Sequence, residues 1–122
     1  MNRLTGTLLV VVAGFVAGVC SAEDAPSPAT VKLYDTYCVQ CHGVNRDGNG
    51  LNSGDMAVKP RDHTDSKAMG DTPDDQLFKA IKNGGLSVNK SVLMPTWGGV
   101  LTDEQIRDLV KYLRFVSKTK SS

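Results

Sequence analysis

Cys38-Val39-Gln40-Cys41-His42-Gly43 is a Cys-x-x-Cys-His motif closed by a glycine. Its two cysteines stand three residues apart, about one helical turn, so on a helix both sulfurs project to the same side. The residues before the motif favour such a helix. Ser27 suits the N-cap and Pro28 the first helical position, where a missing amide proton costs nothing. Leu33, Tyr34 and Tyr37 then recur at three- to four-residue spacing and give an apolar stripe. The pattern predicts a first helix over about residues 28–38, with the motif at its end.

Downstream the chain changes character. Over residues 43–70, Gly43, Gly48, Gly50, Gly54 and Pro60, with Asn45, Asn49 and Asn52, forbid a long regular element. A loop of that length in a small domain needs something besides its own packing to organise it, and a cofactor would serve. Thr72-Pro73-Asp74-Asp75 opens a second helix with a capping hydroxyl, and Asn83-Gly84-Gly85 closes it; Leu77, Ala80 and Ile81 are its inward residues. Thr102-Asp103-Glu104-Gln105 is a capping box that opens a third helix, with Ile106, Leu109, Val110, Leu113 and Val116 on one face. Nothing alternates with period two over strand length. The class is all-α, with three main helices holding long loops.

A chain of 122 residues is one domain, too short for a doubly wound dinucleotide enzyme or a (β/α)8 barrel. Lys and Arg number 14 against 13 Asp and Glu, and a net charge of +1 gives no bulk attraction to nucleic acid or an acidic membrane. Residues 1–22 read as a secretory signal peptide. Arg3 precedes the apolar run of residues 8–19, which falls short of the roughly 20 residues needed to span a bilayer. Cys20-Ser21-Ala22 permits cleavage after Ala22, which would leave residues 23–29 as a flexible lead and 30–122 as the folded domain. The expected location is the periplasm. Membrane anchoring would require an uncleaved leader or lipidation of Cys20, and the branched Val19 before that cysteine disfavours lipidation.

With Cys20 removed, two cysteines remain, too few for a disulfide framework. Cys38 and Cys41, one turn apart, are placed to bond two neighbouring vinyl groups of one porphyrin, with His42 beneath the ring and free to ligate its iron. Two rival chemistries fit the motif less well. A thiol/disulfide Cys-x-x-Cys normally caps a helix that follows a strand, and no strand is foreseen here. A structural zinc site needs four ligands, and beyond Cys38, Cys41 and His42 only His63 is left. Asn45-x-Asp47-x-Asn49-Gly50 imitates half a calcium loop, but Met56 stands where the closing Glu belongs; Asn89-Lys90-Ser91 reads as a turn.

The sequence resembles the class I c-type cytochromes, small monohaem electron carriers. The likeness runs over residues 31–116 and is carried by the motif, the glycine-rich loop, Lys59-Pro60-Arg61-Asp62, Leu93-Met94-Pro95-Thr96-Trp97, and a last helix with Tyr112-Leu113-Arg114. It implies a cytochrome c fold wrapped around one covalently bound haem c. Cys38 and Cys41 would form the thioethers, His42 would be the proximal ligand and Met94 the distal one. Met56, Met69 and His63 are the other candidates for the distal position, and Pro95 favours Met94 by fixing the chain direction beside the haem face. His63, between Asp62 and Thr64, reads as an exposed loop residue. Trp97 and Arg61, or Lys59 in place of Arg61, are candidate propionate contacts. Tyr112 should meet the first helix near Tyr37 or Leu33. Many such proteins accept the proximal imidazole proton on a loop proline's carbonyl, and here Leu51 or a neighbour is the expected substitute.

With both axial positions filled by protein, the expected function is one-electron transfer between redox proteins of a respiratory chain through transient docking, with no small-molecule substrate and no nucleic acid. Such a protein is a carrier and not an enzyme. The alternative is a haem subunit of a larger oxidoreductase, or a haem enzyme with an open distal site. Lys111, Arg114, Lys118 and Lys120 cluster near the C-terminus and read as a solvated helix end, with docking of an acidic partner as the alternative.

Overall fold

Ser27 opens the first helix as its side chain predicts: its Oγ accepts the Thr30 amide at 3.1 Å, with Pro28 in the first helical turn. This is helix α1, Pro28–Tyr37. The computed structural model describes residues 25–119, so the leader at 1–22, Cys20 and Lys120 lie outside the described residues. Pro28 and Ala29, read above with the lead, belong to α1. Nor does the helical path stop at Cys38. That residue turns the chain and a second short helix, α2 (Val39–His42), carries the rest of the motif.

Among the described residues there are five helices and no strand. Helix α5, Asp103–Thr119, begins with the reciprocal capping box: the Gln105 amide donates to Thr102 Oγ1 at 3.2 Å and the Thr102 amide to Gln105 Oε1 at 2.9 Å. Ile106, Leu109, Val110, Leu113 and Val116 are all buried on its inner face. Tyr112 is buried too, but its ring meets Tyr34 edge-on at 5.3 Å between centroids, in place of the expected Tyr37 or Leu33. Tyr34 is the fully buried member of the α1 stripe, so the α1–α5 contact centres there.

Helix α4 (Asp74–Asn83) buries Leu77 and Ile81 and half-buries Ala80. Its N-cap is Pro73 and not Thr72. The Thr72 hydroxyl donates instead to the Ala68 carbonyl at 2.9 Å and closes a helix that the sequence reading did not foresee, α3 (Ser66–Gly70). Asp65 caps α3 by accepting the Ala68 amide at 2.9 Å, and Met69 enters the core with no exposed surface.

Arg114 fastens α5 to the α3–α4 corner. Its guanidinium donates to the Asp74 carboxylate at 2.7 Å and to the carbonyls of Met69 and Thr72. That side chain is therefore a structural clamp and not part of a free docking patch; Lys111 pairs with Asp108 at 3.0 Å. No helix of the described residues is long and apolar enough to cross a membrane.

Candidate functional site

Helix α2 brings the motif to the wall of a cavity of about 450 Å³, lined by Cys38, Cys41 and His42 on one side and by Leu77, Ile81, Leu109, Met94 and Trp97 among the rest. The amides of Cys41 and His42 both donate to the Cys38 carbonyl, at 3.2 and 2.9 Å, which keeps the three side chains in one helical register. Cys38 and Cys41 are both half-buried on this wall. Burial pushes the Cys38 thiol up to about 12, helped by Cys41 and Asp35. Thiol–disulfide exchange needs thiolate, and burial holds Cys38 in its thiol form.

His42 is oriented by the main chain. Its Nδ1 donates to the Arg61 carbonyl at 3.0 Å, which leaves the lone pair on Nε2. Burial lowers its pKa, with the Arg61 carbonyl opposing, and the imidazole stays neutral as a metal ligand must be. The acceptor is thus Arg61 and not Leu51, which starts a 3-10 turn (Leu51–Ser53) with its side chain 91% exposed. Gly48 makes this possible. A Cβ there would lie 2.6 Å from the Pro60 carbonyl oxygen, so only glycine lets the 60–61 backbone close on the motif. The Gly48 and Gly50 amides also donate to the His42 and Cys41 carbonyls at 2.9 and 3.0 Å, capping α2.

The structure brings Arg61 to the site through its carbonyl, with its side chain exposed. Lys59 is committed to its own loop, its ammonium donating to the Ser53 and Gly54 carbonyls at 2.7 and 2.6 Å. Met94 is half-buried and packs against the core. The segment that carries it is pinned at three points: the Gly85 amide donates to the Met94 carbonyl, the Trp97 amide to Ile81 and the Gly98 amide to Lys82, each at 3.0 Å. Gly85 allows the approach, since a Cβ on it would stand 2.3 Å from the Ser91 carbonyl oxygen and 3.1 Å from Met94 Cβ. Trp97 is half-buried and tilts against Tyr37 at 5.1 Å between centroids. Met56 also lines the cavity, whereas Met69 is spent on the core.

His63 corrects the expectation of an exposed loop residue. It is 6% exposed, with its ring stacked on His42 at 4.4 Å and 18° and its Nδ1 hydrogen-bonded with Tyr34 Oη at 3.0 Å. Imidazoles that ligate one iron from opposite faces point at it edge-on, so a face-to-face stack is not a ligand pair. Arg46 escaped notice altogether. Its guanidinium lies over the rings of Tyr34 and Tyr112 at 5.1 and 5.8 Å, donates to Tyr112 Oη at 2.7 Å and pairs with Asp35 at 2.7 Å. Polar neighbours on both sides of His63 and Arg46 gave no hint of burial.

The donor set and the cavity suit the haem that the resemblance implies. Two thiols one turn apart, a neutral imidazole with one nitrogen committed, a thioether and an apolar wall surround a volume within the ordinary range of about 300–1,000 Å³ for small-molecule sites.

Comparison with known proteins agrees with this chemistry. Residues 27–113 match the family described as cytochrome c oxidase, cbb3-type, subunit III. The solved c-type cytochrome KustC0563 is 28% identical with a TM-score of 0.57, covering 71% of this chain and 95% of that one. A chain of the Kuenenia stuttgartiensis reducing HAO-like protein complex Kustc0457/Kustc0458 is also 28% identical, with a TM-score of 0.58, over 76% of this chain and 43% of its own. The quinohemoprotein alcohol dehydrogenase ADH-IIG of Pseudomonas putida is 30% identical over 93 residues, 76% of this chain but only 11% of that protein's length.

Proposed function

This chain belongs to the cytochrome c oxidase, cbb3-type, subunit III family and is a class I c-type cytochrome with covalently bound haem c, and from that footing we propose that it is a periplasmic one-electron carrier with His42 and Met94 as axial ligands. The observation that carries the reading is the convergence on one cavity of Cys38, Cys41 and a neutral, carbonyl-anchored His42 with Met94, whose segment is pinned by three backbone bonds. Haem c supplies the one-electron couple. Cys38 and Cys41 hold it covalently, and His42 offers Nε2 because Arg61 holds the proton on Nδ1. A Met/His pair raises a haem potential. The apolar residues Leu77, Ile81 and Leu109 work in the same direction by disfavouring added positive charge.

With both axial positions occupied by side chains no position is left for a substrate, and the protein works by transient docking with redox proteins across small interfaces, below about 1,200 Å². The reading takes residues 1–22 as an export signal and 30–122 as the haem domain. Trp97, on the cavity lining, is the side chain that this reading assigns to a propionate contact. A second reading, a haem subunit of a larger oxidoreductase, is favoured by the relatives: a stretch 30% identical to this chain makes up 11% of the quinohemoprotein alcohol dehydrogenase, and a chain of the reducing HAO-like protein complex is 28% identical.

The test is the oxidised visible and far-red spectrum of wild type, Met94→Ala and Met56→Ala, each coexpressed with a haem-attachment system. We expect the weak far-red band of methionine-to-iron coordination in wild type and Met56→Ala, and its loss in Met94→Ala. Loss in Met56→Ala alone would move the distal ligand to Met56. A band absent from wild type, with carbon monoxide binding to the reduced protein, would favour the open-site enzyme.

A further inference from the structure

We propose that His63 is a positioning residue for the His42 ligand, its ring lying flat on the His42 imidazole and fixing the plane in which that imidazole meets the iron. The inference rests on the reading of His42 as an axial ligand. The covalent tether at Cγ and the Nδ1 bond to Arg61 hold the His42 ring along one edge, and its face is left to packing. His63 covers that face, stacked at 4.4 Å between centroids and 18° between planes.

His63 is itself held on two sides. Its amide donates to the Arg46 carbonyl at 2.8 Å, and its Nδ1 is hydrogen-bonded with Tyr34 Oη at 3.0 Å. Arg46 reaches the first of these from the left-handed region, φ 66°, a conformation uncommon for a residue with a side chain. Behind Tyr34 stand the Tyr112 ring, edge-on, and the Arg46 guanidinium tied to Tyr112 Oη and Asp35. A continuous set of buried contacts therefore runs from the α1–α5 core to the face of the ligand. An imidazole at position 63 fits both neighbours: its flat face suits His42 and its nitrogen suits the Tyr34 hydroxyl, which would otherwise need another partner in the core.

The orientation of an axial imidazole sets the pattern of hyperfine shifts of the four haem methyl groups in the oxidised protein, a quantity that stability alone does not move. The experiment is the proton NMR spectrum of haem-loaded, oxidised wild type, His63→Leu, His63→Ala, His63→Phe and Tyr34→Phe. We expect His63→Leu to change the spread and order of the methyl shifts, and His63→Phe, which keeps a flat ring, to restore the wild-type order. A wild-type pattern in His63→Leu, or a failure of His63→Phe to restore it, would overturn the proposal. Should His63→Leu not accept haem, His63→Ala decides: a changed pattern supports the role and an unchanged one refutes it; Tyr34→Phe, which removes only the hydrogen bond behind the ring, should keep the wild-type order as His63→Phe does. A wild type without low-spin, imidazole-ligated haem would remove the His42 reading and this inference with it, whereas a low-spin spectrum indifferent to His63 removes the inference alone.

Discussion

At the scale of single residues, the site is built by side chains that are held in one protonation state. His42 and His63 are both kept neutral, chiefly by burial, and His63 is pushed well below the usual histidine range with His42 and Arg61 adding to the effect. Tyr34 shows the same physics with the opposite sign: burial raises its phenol far above the ordinary value of 10.0. A group whose folded pKa is raised contributes stability that is complete below its unfolded pKa and is lost as pH rises through the folded one. For Tyr34 the loss begins near pH 10, where the unfolded phenol ionises and the folded phenol does not. The slope is up to about 1.4 kcal/mol per pH unit. Urea unfolding of wild type and Tyr34→Phe from pH 8 to about 11 isolates it, because lysines titrate alike in both. The wild type should lose more stability above pH 10 than the variant does; parallel curves would mean that Tyr34 ionises freely in the folded state.

At the scale of elements, the helices that the sequence announces, α1, α4 and α5, are those with a recognisable start and an apolar stripe. Ser27 and the Thr102/Gln105 pair cap α1 and α5 as their spacing predicts. Replacing Thr102 by alanine should cost about 1 kcal/mol. In a domain of this size that lowers Tm by about 4–8 °C, and a thermal melt with no shift would show that solvent or Asp103 satisfies the helix end equally well. What stayed hidden follows from length and path. Helix α3 has five residues, too few for periodicity to register, and its hydroxyl neighbour Thr72 was assigned to α4 because Pro73-Asp74-Asp75 looks like a helix start on its own. The motif, Met94 and the core face of α5 were legible because each is a local pattern. Arg46 meets Tyr112 across 66 residues, and the carbonyl on His42 comes from a loop whose course depends on Gly48 approaching Pro60. No local pattern encodes either contact.

At the scale of the whole molecule, helices α1 and α4 both pack on α5, while the loop from Met56 to His63 and the segment from Ser91 to Trp97 line the cavity. Val58 and Leu93, on the cavity lining, are 54% and 57% exposed, so these segments are not held by burial of their side chains in protein. Without haem the apolar wall that Leu77, Ile81, Leu109 and Leu113 turn to this cavity would face water, and the burial that it gains against the porphyrin would be forfeited. The group that carries the electron is therefore also what completes the core, and a chain that cannot attach it should not hold this fold. The double variant Cys38→Ser/Cys41→Ser, purified without haem, should show reduced helical signal in far-ultraviolet circular dichroism and no cooperative thermal transition. The haem-loaded wild type should melt in one step. A haem-free variant that melts cooperatively within a few degrees of wild type would mean that the loops close on one another without the cofactor, and that packing of the three long helices alone is enough to specify the site.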